Sequence, residues 1–202
     1  MKNRKSFWLD ALLLASTALA EPNPAQVSIR NIAYGGSGCR QGSVGQILSP
    51  DAKAFTLLFD EYVAEAGPGV SLAEGRKSCQ IAVDLKFPSG WSYSLFTVDY
   101  RGYARLDSGT TGLQQSSYYF QGSPSQATLR SEFRGPVNRD YLIRDKLGLD
   151  AVVWSPCGAT RAVVINTQVR VSASGSKRAL LTTDSITGEL QHVYGIQWRR
   201  CQ

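Results

Sequence analysis

The sequence predicts an all-β protein, a single-domain β-sandwich of jelly-roll-like or Greek-key type that two disulfides stabilise. The first observation is a period-two alternation, because every second position of Ile81–Phe87 is apolar with more polar residues between. The same alternation recurs in Phe55–Phe59, Val163–Val171 and Leu190–Trp198. The second observation is turn chemistry, since clusters of glycine, proline and serine separate these runs. Many short strands joined by such turns are typical of a sandwich or barrel.

The longest predicted strand is Trp91–Leu106. Its Gly102 indicates a bend, a bulge or a close approach of another part of the backbone. Helical segments are expected to be short, around Ser71–Glu74 and Arg139–Leu147. The chain shows no internal repeat and no linker, and strands continue between the two cysteine pairs. We therefore predict one domain over residues 21–202.

Residues 1–20 have the features of a secretory signal peptide. Three basic residues lie within the first five positions, a mostly apolar stretch follows, and Ala18–Ala20 is a small-x-small cleavage site. A membrane anchor would need about 20 apolar residues, and Asp10 interrupts this segment. We therefore expect residues 21–202 to be secreted, extracellular or, in a Gram-negative bacterium, periplasmic, with no stable membrane insertion.

Export places the four cysteines in an oxidising compartment, where disulfides form. Four cysteines allow three pairings, among which a sequence does not choose. We favour the sequential pairing of Cys39 with Cys79 and of Cys157 with Cys201, since the alternatives tie the two ends of the chain together. Each bridge then closes a loop of about 40 residues, worth about 4 kcal/mol in the chain-entropy model. No pair has the short spacing of zinc ligands, so no metal site is predicted.

The charge of the chain argues against nucleic acid as a partner. The full sequence carries +6, and residues 1–20 hold three basic and one acidic side chains, so the exported part carries about +4. The most basic stretch, Arg130–Lys146, also contains acidic residues and reads as a solvated surface. This mild charge is compatible with weak attraction to anionic glycans, cell-wall polymers or membrane surfaces.

Catalytic chemistry has little support in the sequence. His192 is the only histidine, it lies on the apolar side of the last strand pattern, and no Gly-x-Ser-x-Gly motif places a nucleophile. An acid–base pair of the glycosidase kind would have to come from the carboxylates Asp60, Glu61, Asp84, Asp99, Asp107, Asp184 and Glu189. We assign no catalytic residue, and we expect no cofactor.

Candidate binding residues come from an aromatic-rich region. Consecutive rings at positions 118–120 must point to both faces of a strand, so at least one of them leaves the core. We predict that an exposed ring of this region contacts a glycan or a protein. Asp99 and Arg101 lie two residues apart on one strand and are expected to form an ion pair. The candidate binding residues are Trp91, Tyr93, Asp99, Tyr100, Arg101, Tyr118 and Tyr119.

Several ordered motifs resemble a known family. They are Gly36–Cys39, Phe59–Tyr62, Gly67–Gly69, Arg76–Gln80, Asp99–Gly102, Trp154–Gly158 and Trp198–Cys201. Together they resemble the domain-of-unknown-function 4360 family of small secreted fungal and bacterial proteins. Arg40 departs from the proline expected after the first cysteine. The resemblance implies secretion and two disulfides, and it implies no activity.

The leading hypothesis is a secreted, non-catalytic binding module for a cell-surface glycan or an extracellular protein. A carboxylate-dependent carbohydrate-active enzyme is one alternative. The other alternative is an effector or inhibitor that acts on a partner protein through a protruding loop, Gly67–Arg76 or Arg134–Leu147.

Overall fold

The computed structural model describes residues 21–146, 153–157, 161–183 and 192–201. Within these ranges the chain forms twelve strands in two sheets, and every strand pair is antiparallel. The two sheets share one apolar core, so the predicted all-β sandwich is confirmed. The signal peptide over residues 1–20 and the start of the domain at residue 21 stay predictions, because residues 1–20 lie outside the described ranges.

The described part of the chain contains twelve strands and two 3-10 turns. The strands are β1 (Ser28–Gly35), β2 (Val44–Leu48), β3 (Ala54–Phe59), β4 (Val63–Ala66), β5 (Arg76–Lys86), β6 (Trp91–Leu106), β7 (Thr111–Phe120), β8 (Gln126–Arg134), β9 (Val137–Lys146), β10 (Val163–Ser172), β11 (Ala179–Thr182) and β12 (His192–Arg200). The 3-10 turns are Pro24–Gln26 and Leu72–Gly75.

The smaller sheet has five strands in the order β1-β5-β10-β7-β8. The larger sheet has seven strands and is organised around β6. Tyr100 of β6 pairs with His192 of β12 and Ile143 of β9, whereas Ala104 pairs with Leu181 of β11 and again with β9. A strand has two edges, so β12 and β11 lie end to end along one edge of β6 and β9 lies along the other.

The core between the sheets is rich in aromatic rings. Phe55 and Tyr194 stack with ring centroids 4.7 Å apart, and Tyr93 meets Phe120 edge-on at 5.1 Å. Such pairs add about 0.5–1.5 kcal/mol each beyond the area that they bury. The buried aliphatic residues of β5 and β10 pack against these rings from the five-stranded sheet.

The predicted strands are confirmed within the described residues, and Trp91–Leu106 is one continuous strand. The short helical turn near Ser71–Glu74 is also confirmed. The helix expected at Arg139–Leu147 is wrong, because Val137–Lys146 is strand β9 and pairs with β6 throughout. Val137, Tyr141 and Ile143 are half-buried, whereas Asn138–Asp140, Leu142 and Arg144 are exposed, and the many charged residues hid this strand in the sequence.

Gly102 is required by a close approach, as the sequence indicated. A Cβ atom at this position would clash with the carbonyl oxygen of Thr182 and with the hydroxyl of Tyr141. These two groups are joined by a hydrogen bond, in which the Tyr141 hydroxyl donates to the Thr182 carbonyl at 2.6 Å. The contact fixes the end of β11 against β6 and β9.

We expect Gly102→Ala to lower the free energy of unfolding by about 1–3 kcal/mol, because the added methyl group overpacks this contact. Urea denaturation of the purified protein measures the change. Gly35→Ala is the matched control, since a Cβ atom there meets no atom within 4 Å. Equal effects of the two substitutions would show that the close approach is not costly to disturb.

The sequential disulfide pairing is confirmed. Cys39 bonds Cys79 with a Cα separation of 5.5 Å, and Cys157 bonds Cys201 with a Cα separation of 5.7 Å. The first bridge is buried and joins the loop between β1 and β2 to β5, whereas Cys157 of the second bridge is exposed. The first bridge therefore also belongs to the core.

Candidate functional site

The outer face of the five-stranded sheet is polar over its central strands. Strand alternation buries Ile81 of β5 and Ile165 of β10 against the other sheet. The residues between the buried positions point outwards, and on these strands they are mostly amides, hydroxyls and arginines. The same sequence pattern that builds the core thus also builds a polar surface on the opposite side.

The strand register brings four amide side chains of this face together. In one row across the sheet, Gln80 pairs with Asn166, which pairs with Ser117 of β7. In the next row, Gln168 lies between Ser78 and Gln115. Paired strands lie about 4.8 Å apart, so the amides of three strands are neighbours. We call Gln80, Gln115, Asn166 and Gln168 the amide platform.

The platform borders a shallow groove of about 360 Å³. Hydroxyl groups extend the platform towards β8, where the Ser117 and Thr128 hydroxyls hydrogen-bond at 2.8 Å. At one side of the groove the Asn166 amide donates to the Tyr119 hydroxyl at 3.5 Å. Tyr119 is half-buried, so part of this residue remains accessible beside the amides.

Arginines surround one end of the platform. Arg76 and Arg170 are exposed and lie directly opposite each other in the β5–β10 pairing. On β8, Arg130 and Arg134 flank Glu132, with nitrogen–oxygen distances of 2.7 Å and 3.9 Å. Arg170, Arg130 and Arg134 line a second groove of about 350 Å³. We call Arg76, Arg170, Arg130 and Arg134 the arginine end.

A third groove of about 510 Å³ continues from the arginine end to the Gly67–Arg76 segment. This segment holds the second 3-10 turn and leaves Leu72 98% exposed. It is the protruding segment that the sequence offered for contact with a partner protein. The other offered segment, Arg134–Leu147, is not a loop over its described part, since β9 occupies it.

Four of the predicted binding residues are core residues. Trp91, Tyr93, Tyr100 and Tyr118 are each at most 4% exposed, so the structure gives their rings a packing role. Tyr118 is buried by the ordinary alternation of β7. For the three residues of β6 the cause is a β-bulge, where Thr97 pairs with Gly195 and Leu95 pairs with Ile196. The extra residue between them reverses the alternation, and the aromatic residues on both sides of the bulge then face the core.

Asp99 and Arg101 do reach the surface, but on the seven-stranded sheet, away from the amide platform. The expected ion pair between them is wrong. The Asp99 carboxylate accepts hydrogen bonds from Arg144 at 2.9 and 3.1 Å, because Arg144 lies directly opposite in the β6–β9 register. Among the predicted binding residues, Tyr119 alone borders the platform.

His192 is fully buried and is enclosed by aromatic rings, as expected for a core histidine. Its ring centroid lies 4.8 Å from that of Phe59 and 4.7 Å from that of Tyr100. Its Nδ1 atom forms a 3.0 Å hydrogen bond with the Tyr194 hydroxyl. Burial lowers the pKa of His192 to about 3, so the ring is neutral in the folded protein at ordinary pH.

The carboxylates considered for catalysis are engaged elsewhere. Asp84 and Glu61 approach arginines at 3.7 and 3.8 Å, and Asp107 accepts a hydrogen bond from the backbone N–H of Arg178 at 2.7 Å. Neither these residues nor Asp60 and Asp99 line the three grooves. The candidates Asp184 and Glu189 lie outside the described residues.

Two features are absent from residues 21–146, 153–157, 161–183 and 192–201. In these ranges no three or more histidine, cysteine, aspartate or glutamate residues are grouped so as to hold a metal ion. The same residues contain no helix of the length and apolarity needed to cross a membrane.

Residues 25–201 match the model of a family described as Domain of unknown function (DUF4360). The chain belongs to this family. It is 42% identical over 181 residues to an uncharacterized secreted protein of Arthroderma benhamiae, an alignment that covers 89% of this chain and 74% of that relative. The family resemblance carried by the sequence motifs is therefore confirmed, and a relative is a secreted protein.

Two solved structures share a distant likeness with the family fold seen here. One is TmCBM61 in complex with β-1,4-galactotriose, with 10% identity, a TM-score of 0.30, and coverage of 86% of this chain and 90% of that chain. The other is the enzymatically active domain of bacteriophage CBA120 tailspike protein 4, with 11% identity, a TM-score of 0.29, and coverage of 87% and 20%. At these TM-scores neither likeness bears on function.

The amide platform was not among the residues that the sequence singled out. One signal was present, because Asn166, Gln168 and Arg170 form the polar side of the Val163–Val171 alternation. The strand order that sets β5 and β7 beside them is what turns these side chains into one surface.

Proposed function

We propose that this protein is a secreted, non-catalytic binding module whose amide platform binds a glycan. The observation that carries the proposal is the convergence of four amides from three neighbouring strands on one solvent-facing surface. Each amide offers both donors and an acceptor, which is the combination that sugar hydroxyl groups require. Adjacent rows of amides and hydroxyls can bind several hydroxyl groups of one chain at once.

The composition of this face favours a glycan over a protein partner. The centres of protein interfaces are enriched in aromatic residues and methionine, and they bury apolar area. The platform instead presents amides, the hydroxyls of Ser78 and Ser117, and the partly accessible ring of Tyr119. One ring beside many polar groups suits a sugar, which has an apolar face and a polar rim.

The residues that line the grooves support a non-catalytic role. Glu132 is the carboxylate among the residues that line them, and it is held between two arginines. Acid–base hydrolysis of a glycosidic bond needs two carboxyl groups across the scissile bond. Export through residues 1–20 brings the platform to extracellular or periplasmic polymers, and the secreted relative supports this location.

We expect the double variant Asn166→Ala/Gln168→Ala to bind its glycan roughly tenfold more weakly, since removing two amides loses about 1–2 kcal/mol of hydrogen bonding. The wild-type protein is first screened on a glycan array and on insoluble polysaccharides, and the retained polymer is then titrated against both proteins. Gln46→Ala is the matched control, because Gln46 is an exposed amide on the seven-stranded sheet.

Three results would overturn the proposal. They are retention on no polysaccharide, equal weakening in the Gln46→Ala control, and capture of a protein ligand through this face in place of a glycan. A fall in the chain length of the retained polymer during incubation would contradict the non-catalytic role. Thermal melting of each variant shows whether a loss of binding comes from loss of the fold.

A further inference from the structure

The arginine end points to the class of glycan, an inference that rests on the proposed function. We propose that the protein binds an anionic polysaccharide, whose ring-borne carboxylate or sulfate groups contact Arg76 and Arg170 while neighbouring sugar hydroxyls contact the amide platform. The shared chemistry is a fixed negative charge on a sugar unit.

Arg76 and Arg170 are a pair of like charges in direct register. They face each other across the β5–β10 pairing, and both side chains are exposed on the outer face. Directly opposed residues have Cβ atoms about 4.5–5.5 Å apart, and like charges in this position destabilise a sheet. Within the described residues neither arginine forms an ion pair with a carboxylate. An anion between the two guanidinium groups would relieve their repulsion.

Several other arginines are paired with a carboxylate or lie opposite an uncharged residue. Arg144 is paired with Asp99, and Arg130 is paired with Glu132. Arg101 and Arg105 lie opposite Leu142 and Asn138, and therefore have no like charge across from them. The Arg76–Arg170 pair is thus the place on this face where positive charge is concentrated.

The pair lies where the three grooves meet. Arg76 lines both the groove of the amide platform and the groove of the Gly67–Arg76 segment. Arg170 lines the groove of the Gly67–Arg76 segment and also the groove that it shares with Arg130 and Arg134 of β8. A polymer that extends from the amide platform into the grooves of the arginine end would therefore pass over these two arginine side chains. The planar guanidinium fork binds carboxylate and sulfate groups through paired hydrogen bonds, which gives selection of charge as well as attraction.

The test compares polymers that differ only in charge. Polygalacturonate is compared with its fully methyl-esterified form, and dextran sulfate with dextran, so that the two arms distinguish a carboxylate from a sulfate source. We expect the wild-type protein to prefer at least one charged polymer over its neutral counterpart by roughly tenfold. The preference should weaken as salt rises, because the arginines are exposed and their charges are screened.

The double variant Arg76→Gln/Arg170→Gln should lose this preference, so that its affinity for the charged polymer falls roughly tenfold, to that for the neutral polymer. The double variant Arg105→Gln/Arg139→Gln is the control, since it removes the same charge from the seven-stranded sheet and should keep the preference. Melting curves establish that both variants are folded.

Each outcome decides between the two proposals. The proposal of an anionic polysaccharide is wrong if the wild-type protein binds neutral and charged polymers equally, or if the control variant loses the preference as well. Glycan binding by the amide platform would be unaffected by either result. If no polysaccharide of either charge is bound, the proposed function itself fails. Loss of charged and neutral binding together in Arg76→Gln/Arg170→Gln would also overturn the selective role of the arginines.

Discussion

Replacing Cys39 and Cys79 together with alanine should lower the free energy of unfolding by an amount at the upper end of the usual 2–5 kcal/mol, roughly 4–5 kcal/mol. The bridge closes a loop with a sequence separation of 40 residues, and both cysteines are at most 2% exposed. Its loss therefore destabilises the protein in two ways. The unfolded chain gains entropy, and the core loses packing. Urea denaturation under non-reducing conditions measures the effect.

The second bridge provides the comparison. Cys157 and Cys201 are separated by 44 residues, so the entropy of loop closure is nearly the same. Because Cys157 is exposed, the corresponding alanine pair should cost less, roughly 2–4 kcal/mol. A larger loss from the second bridge than from the first would show that burial of the Cys39–Cys79 pair contributes nothing.

Acid should destabilise the fold through His192. The pKa of the buried ring is about 3, whereas an unfolded chain has a histidine pKa of about 6.5. Between these values the unfolded state binds a proton that the folded state does not bind. Stability is therefore complete above pH 6.5 and is lost as the pH falls, by about 1.4 kcal/mol per pH unit. Between pH 7 and pH 5 we expect a loss of about 2 kcal/mol from this residue.

The variant His192→Gln separates this residue from the carboxylates. It should be less stable than the wild type at pH 7, because the amide is buried among aromatic rings, and its stability should change little between pH 7 and pH 5. Glycan binding at neutral pH should be nearly unaffected, since His192 lies in the core. An unchanged slope of stability against pH in the variant would contradict the assignment, and a thousandfold loss of any activity without destabilisation would indicate a general base.

Much of the sandwich could be predicted from the sequence, because period-two patterns report which strands cover a core. The pattern of Ile81–Phe87 led to β5, and the spacing of the cysteines led to the favoured pairing. The prediction failed at β9, where charged residues hid the alternation and tertiary pairing with β6 decided the conformation. It failed again at the bulge in β6, since one extra residue reverses every side chain beyond it.

The candidate site was less accessible to sequence reasoning, and the reason is physical. Aromatic residues were the expected binding groups, yet their large apolar area is what this core needs, and Trp91 and Tyr93 are buried there. The amide platform draws Gln80, Gln115 and Asn166 from strands that are far apart in the chain. The outward-facing positions of each strand can be inferred from its alternation of apolar and polar residues. Which of these side chains are neighbours depends on the order of the strands in the sheet, and the alternation does not encode that order.

The strand order also determines when the protein can fold. In the smaller sheet β10 lies between β5 and β7, and in the larger sheet β12 lies between β3 and β6. A chain that emerges from a ribosome or a translocon therefore presents these four strands with unpaired edges until residues 163–172 and 192–200 follow. Such non-local pairing makes folding slow, and open edges invite association between chains. Both sheets are completed only when β10 and β12 are available, so the sandwich cannot assemble until most of the chain has been synthesised.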